Sequence, residues 1–223
     1  MRNQTGGWLR VLGMGLLAVG AGGISGCGML GGGQQQAYPV PAQYTGLADK
    51  SVAIVVFAMP ATIDEFSGSR EEISAFIANQ MRLNMPTTRV LDPQRVIEWQ
   101  NNTINWFGLS EMDIGKHFQV DRVLSIRMLD YSTHKSMGYS DMQGHVKAQA
   151  KVVEVDAPDR KSMTGWSGVV DVTWPPDRPL DPTQTNENAV RQRILELFST
   201  DLVRYFYDHI EQVGGEGIRA RSH

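Results

Sequence analysis

Apolar residues change their spacing several times along this chain, and each change marks a different element. Residues 51–58 read Ser-Val-Ala-Ile-Val-Val-Phe-Ala, a continuous apolar run rich in β-branched side chains. That pattern predicts a strand buried on both faces. After a loop holding Pro60 and Gly68, the residues Ile73, Phe76, Ile77 and Met81 recur at helical spacing until Pro86 closes the segment. Ser69, with Glu72 three residues on, reads as a capping box at its start. The β-branched stretch 87–91 predicts a second, short strand. Asp92-Pro93 opens a helix carrying Val96, Ile97 and Trp99, and Ser110 with Asp113 opens another carrying Met112, Ile114 and Phe118.

Three longer extended stretches follow. Residues 120–131 are apolar on one face through Leu124, Ile126 and Met128. Residues 144–156 alternate, with Val146, Ala148, Ala150 and Val152 inward and His145, Lys147, Gln149 and Lys151 outward. Val153 and Val155 then occupy the opposite parity. A strand has a side-chain period of two, so this slip predicts a β-bulge near Val152-Val153. Residues 157–160 form a turn signal, after which Trp166, Gly168, Val170, Val172 and Trp174 line one face of a further strand. Prolines 175, 176, 179 and 182 stiffen a connector. A last helix is predicted over about 186–212, with Val190, Ile194, Leu197, Phe198, Leu202 and Phe206 on one side. The expected fold is α/β (α+β), a mixed twisted sheet of about five strands with helices packed on it. Its order is strand, helix, strand, one or two short helices, three strands, helix.

The first fifty residues are built otherwise. Arg2 and Arg10 precede the uncharged apolar run 11–24, the layout of a secretory signal peptide and too short and glycine-rich for a membrane span. The run stops at the single cysteine of the chain, in Ile24-Ser25-Gly26-Cys27. These four residues resemble the lipobox of bacterial lipoproteins. The resemblance implies cleavage before Cys27, a diacylglyceryl group on its thiol and an acylated new amino terminus, and Gly28 in place of Asp implies the outer membrane. A lone cysteine makes no intramolecular disulfide, and two or more acyl chains hold a protein on a bilayer where one holds it marginally. Residues 27–50, with Gly31-Gly32-Gly33, Gln34-Gln35-Gln36, Pro39 and Pro41, read as a flexible tether in which Tyr38 and Tyr44 are disordered. The expected organisation is therefore leader 1–26, anchored tether 27–50, domain 51–212 and frayed glycine-rich tail 213–223. A fragment starting near Gly46 is expected to fold alone.

Charge and chemistry narrow the function. Formal net charge is −3, becoming −5 once the two leader arginines leave, and no basic block occurs. That balance speaks against nucleic acid. His117, His134, His145, His209 and His223 show no metal-ligand spacing. Gly165-Trp166-Ser167-Gly168 lacks the spacing of a nucleophile elbow, and Asp64-Glu65 reads as solvated surface. No phosphate-binding glycine loop follows the first strand. Catalytic residues, metal and cofactor are thus expected to be absent, apart from covalent lipid on Cys27.

The order of elements, the opening Val52-Ala53-Ile54-Val55-Val56-Phe57 and the stretch from Lys116 to Leu124 resemble one periplasmic domain group. That group comprises the curli-secretion channel lipoprotein, the lipoprotein activators of penicillin-binding proteins and the amino-terminal domain of TolB. Residues 59–68 and 132–142 are too short and polar for the barrel-forming stretches of its channel member. The resemblance thus implies the accessory branch. The function expected is that of a lipid-anchored envelope accessory or assembly protein acting by binding another envelope protein. The alternative is an envelope ligand- or polymer-binding lipoprotein, which an enclosed apolar cleft would favour. Trp106 and Phe107, adjacent in a loop of amides, are the expected partner surface, because neighbouring aromatics in a loop cannot easily both turn inward. The oligomeric state is not legible.

Overall fold

The computed structural model describes residues 37–58, 68–135, 141–158, 163–183 and 185–212. Cys27, the leader 1–26, the first part of the expected tether, Asp64, Glu65 and the tail 213–223 lie outside the described residues. The elements, in chain order, are β1 (Ala37–Val40), β2 (Ser51–Phe57), α1 (Ser69–Asn84), β3 (Arg89–Val90), α2 (Pro93–Asn102), a short 3-10 helix (Trp106–Gly108), α3 (Glu111–Phe118), β4 (Arg122–His134), β5 (Met142–Glu154), β6 (Thr164–Trp174), α4 (Glu187–Arg204) and β7 (His209–Gln212). Five strands form a mixed sheet in the order β3-β2-β4-β5-β6. β2 runs parallel to both β3 and β4, and β5 and β6 continue antiparallel.

Both faces of β2 are covered, which is why it is apolar at every position from Val52 to Val56. Val52, Ile54 and Val56 join Leu124, Ile126, Val146, Ala150 and Val172 beneath α1 and α4 in the larger core. Ala53 and Val55 point the other way, toward Val96 of α2 and Ile114 of α3, and form a smaller core with Val123 and Val153. The β5–β6 register shifts between Val152 and Val153, where the bulge is predicted, and the extra residue is Gly165 of β6. Val152 and Val153 are both buried because successive strand residues face opposite sides and both sides are covered here, one by the larger core and the other by α2 and α3.

Helix starts follow the sequence at two of the three expected capping sites. Asp92 accepts from Gln94 N at 3.1 Å, and Ser110 Oγ accepts from Asp113 N at 3.2 Å. The capping box at Ser69 is not made. Gly68, at φ 85°, takes the cap position, and Ser69 lies inside the helix with its Oγ buried and unpartnered among the described residues. Glycine reaches this left-handed conformation without a Cβ penalty, which frees the chain to enter α1 one residue early.

Two larger corrections concern the ends of the domain. The last helix stops at Arg204, not near 212. The carbonyl of Tyr205 accepts from Gln43 N (2.8 Å) and Tyr44 N (3.1 Å), so it is spent on another segment and cannot continue the helical ladder. Trp166 takes the rings of Tyr205 and Phe206 at 5.1 Å each, and His209, expected at a helix end, lies in β7. Residues 37–50 are not a tether. β1 pairs antiparallel with β7, and Tyr38 Oη donates to Glu211 Oε2 at 2.6 Å. Tyr44 Oη donates to Glu154 Oε1 at 2.7 Å, and burial together with this bond pushes its hydroxyl up to about 12. Leu47 is wholly buried in the larger core, and Arg122 Nε donates to the Gly46 carbonyl at 3.2 Å. The folded unit therefore begins by Ala37. A fragment starting near Gly46 would lack β1 and Tyr44.

A candidate partner-binding surface

The surface grows out of the end of α2. The helix stops at Asn102, the chain turns through Thr103 and Ile104, and Asn105 adopts φ 59°, a conformation asparagine tolerates better than most residues. The left-handed turn launches the 3-10 helix, and Ser110 then caps α3. This tight path turns the two adjacent aromatics in different directions. Trp106 is half-buried, with its ring 5.1 Å from Phe57 and 6.4 Å from Trp99. Phe107 is 68% exposed and meets Trp106 edge-on at 6.4 Å.

The aromatic cluster behind Phe107 is continuous. Trp99 stacks on His117 at 5.1 Å and meets Phe118 edge-on at 5.3 Å. Two cations lie over its rings: the Arg70 guanidinium is 5.9 Å from the Trp106 centroid, and that of Arg127 is 5.5 Å from Phe57. Arg70 is held by Asn101 Oδ1, which accepts from its Nη2 at 2.8 Å. Phe107 thus projects from a support fixed by packing on one side and by a hydrogen-bonded arginine on the other. Two exposed apolar side chains that the sequence reading did not single out flank it, Ile104 at 90% and Leu109 at 42% exposed. Their signal was present as single aliphatics set among Thr103, Asn105 and Ser110.

The residues considered for catalysis are dispersed. Ser167 lies in mid-strand in β6, with no turn beside it. His145 spans two carboxylates across the outer face of the sheet, Nδ1 2.9 Å from Asp130 Oδ2 and Nε2 2.9 Å from Asp171 Oδ1. Lys147 Nζ lies 2.8 Å from Asp171 Oδ2, and these neighbours hold the Asp171 carboxyl below its ordinary value against the opposing effect of its own desolvation. This group ties β4, β5 and β6 together and has no nucleophile. Among the described residues no cluster of three or more His, Cys, Asp or Glu could hold a metal, and no helix is long and apolar enough to cross a membrane. A wide-mouthed groove of about 410 Å³ between α1 and α2 is lined by Glu71, Glu72, Asn79, Arg82, Asp92 and Ile97 among others. It is not an enclosed apolar cleft.

No protein-family model matches the chain, and no curated protein does. Solved structures of similar shape include the PelC dodecamer from Paraburkholderia phytofirmans, at 12% identity and TM-score 0.42, covering 74% of this chain and 95% of that one. Another is the lipoprotein GNA1162 from Neisseria meningitidis, at 18% identity and TM-score 0.44, covering 68% of this chain and 97% of that one. The LpoB C-terminal domain from Salmonella enterica matches at 13% identity and TM-score 0.34, covering 56% of this chain and 83% of that one. Likeness of this degree bears on neither binding nor activity.

Proposed function

We propose that this protein is a lipid-anchored accessory or assembly factor of the bacterial envelope, held by acyl chains on Cys27 and acting by binding another envelope protein rather than by catalysis. The outer membrane is the proposed site of the anchor. The observation that carries the binding role is the exposure of Phe107 and Ile104 on the packed support of Trp106, Trp99 and Phe57. An aromatic ring already immobilised by its neighbours loses little freedom on binding, so more of its contact energy reaches the complex. Arg70 and Arg127, each over an aromatic ring, add cationic character beside the apolar patch.

The test is crosslinking in intact cells with identification of the captured protein. Phe107→Ala is expected to abolish capture, a loss of at least about 2 kcal/mol for a true anchor, while leaving the melting temperature within about 2 °C of the parent. Capture of the same protein at the parental level by the folded variant would rule out this surface. Cys27→Ser is expected to abolish lipidation and leave the precursor uncut. Normal processing and membrane fractionation of that variant would rule out the anchor.

A further inference from the structure

The two edges of the sheet are unlike. At one, β3 is two residues long and pairs only with Ser51 and Val52, and farther along β2 the Val56 carbonyl accepts from Gln100 Nε2 of α2 at 3.3 Å. At the other, β6 runs for eleven residues, about 36 Å at 3.3 Å per residue, and among the described residues no strand pairs with its outer side. Apart from the bulge at Gly165 near its start, the devices that normally blunt such an edge are missing from it. Thr164 to Trp174 contains no lysine, arginine or proline, and its single ionisable residue, Asp171, is already engaged by His145 and Lys147 of the neighbouring strand. Ser167 and Val169 are exposed, and Val169, at mid-strand, presents 47% of its surface to water.

We infer that β6 is a self-association edge whose occupant is the β6 strand of a second copy, paired antiparallel about a two-fold axis through Val169. The sequence of the strand favours this register. It pairs Trp166–Val172, the stretch clear of the bulge at Gly165, and sets Val169 against its own copy, which covers an exposed β-branched side chain. It places Ser167 opposite the partner copy's Asp171, a hydroxyl donor facing a carboxylate. It places Gly168 opposite Val170, where the small residue leaves room. A register centred on Asp171 would oppose two like charges directly, and that pairing is unfavourable. The product is a ten-stranded sheet running through both copies. This edge lies at the far side of the sheet from the strand β2 against which Trp106 packs, so one copy can use both surfaces.

The experiment uses the full chain in detergent micelles, with the parent protein and its native Cys27 as the control for adventitious disulfides. Sedimentation at tens of micromolar is expected to give a dimer. Val169→Cys is expected to form a covalent dimer under mild oxidation, since directly opposed strand residues lie within disulfide reach. Ser167→Cys is expected to crosslink at least about tenfold more slowly, because the four-residue offset separates the two copies of this position by about 13 Å. Val169→Lys is expected to leave a folded monomer by circular dichroism, the mutated side chain being exposed in the parent. A monomeric parent, an assembly unchanged by Val169→Lys, or crosslinking as fast from position 167 as from 169 would each overturn the inference. If Val169→Lys fails to fold, the comparison of the two cysteine variants decides it alone.

Discussion

One face of the sheet is covered along its length by α1 and α4, whose Ile73, Ile77, Ile194, Phe198 and Leu202 are all essentially sealed from water. The other is covered only at one end, where α2 and α3 bury Ala53, Val55, Val123 and Val153 beneath a rim of Trp99, Trp106 and Phe118. Beyond that rim His145, Lys147 and Gln149 line the solvent side. The larger core is chiefly aliphatic and closed, and burial of that kind supplies stability. The smaller one relies on wide rings that reach the surface, so packing and presentation are performed by the same residues. A patch of that construction can be rigid without being buried, which is what a binding surface needs.

Mutations that separate these roles should differ in size. Phe198→Ala, in the closed core, is expected to cost about 3–5 kcal/mol in denaturant unfolding, enough to leave little folded protein. Trp106→Ala, on the half-covered face, should cost about 1–2 kcal/mol, since part of its ring is solvated already. Equal losses at the two positions would mean that the smaller core contributes as much per ring as the larger. Leu47→Ala tests whether the residues ahead of β2 belong to the closed core. About 2–4 kcal/mol is expected, and a loss below roughly 0.5 kcal/mol, the scale of an ordinary surface substitution, would return that segment to the role of a tether.

The pH-dependent effect is electrostatic. Asp201 sits near the end of α4 with one oxygen unpartnered among the described residues and the other 3.4 Å from Arg204 Nη1. Burial pushes its carboxyl up to about 6, with Glu211 adding to the rise and Arg204 and His209 opposing it. An unfolded aspartate titrates near about 3.9. The folded state therefore holds this proton more tightly, and the stability it contributes is full below about pH 3.9 and lost as pH rises through about 6. Asp201→Asn is expected to be more stable than the parent by up to about 3 kcal/mol at about pH 7.5, the two converging below about pH 4 in urea melts. A difference independent of pH would assign the effect to packing.

Legibility in the sequence followed the range of the contacts. Periodicity placed every strand of the main sheet because it depends on neighbours in the chain, whereas the opposite parity of Val153 marks the second covered face, and the register shift beside it belongs to Gly165 of β6. The β1–β7 pair joins residues far apart in the chain, Ala37 with Gln212, and its strands, Ala-Tyr-Pro-Val and His-Ile-Glu-Gln, are too short to show a period. Tyr44 and Leu47 stand alone among polar and small residues, so nothing local announced that both pack on the core. The overlong last helix has a similar origin: Phe206 keeps helical spacing with Leu202, while the stop is imposed from Gln43 and Tyr44. At the candidate surface, the adjacency of Trp106 and Phe107 foretold that one ring would stay outside. Which one did was decided by the left-handed Asn105 and the docking of Trp106 on Phe57.

The pairing of Ala37 with Gln212 makes the described chain almost a closed ring. Its first and last described residues are neighbours across a single strand spacing, about 5 Å. Whatever is joined ahead of Ala37 and whatever is joined after Gln212 must leave the domain from the same spot. Labels attached at Ala37 and at Gln212 therefore report on the same side of the domain. The same proximity makes the domain a natural subject for circular permutation: a short linker can join the two ends, and new termini can be opened in the connection between β5 and β6.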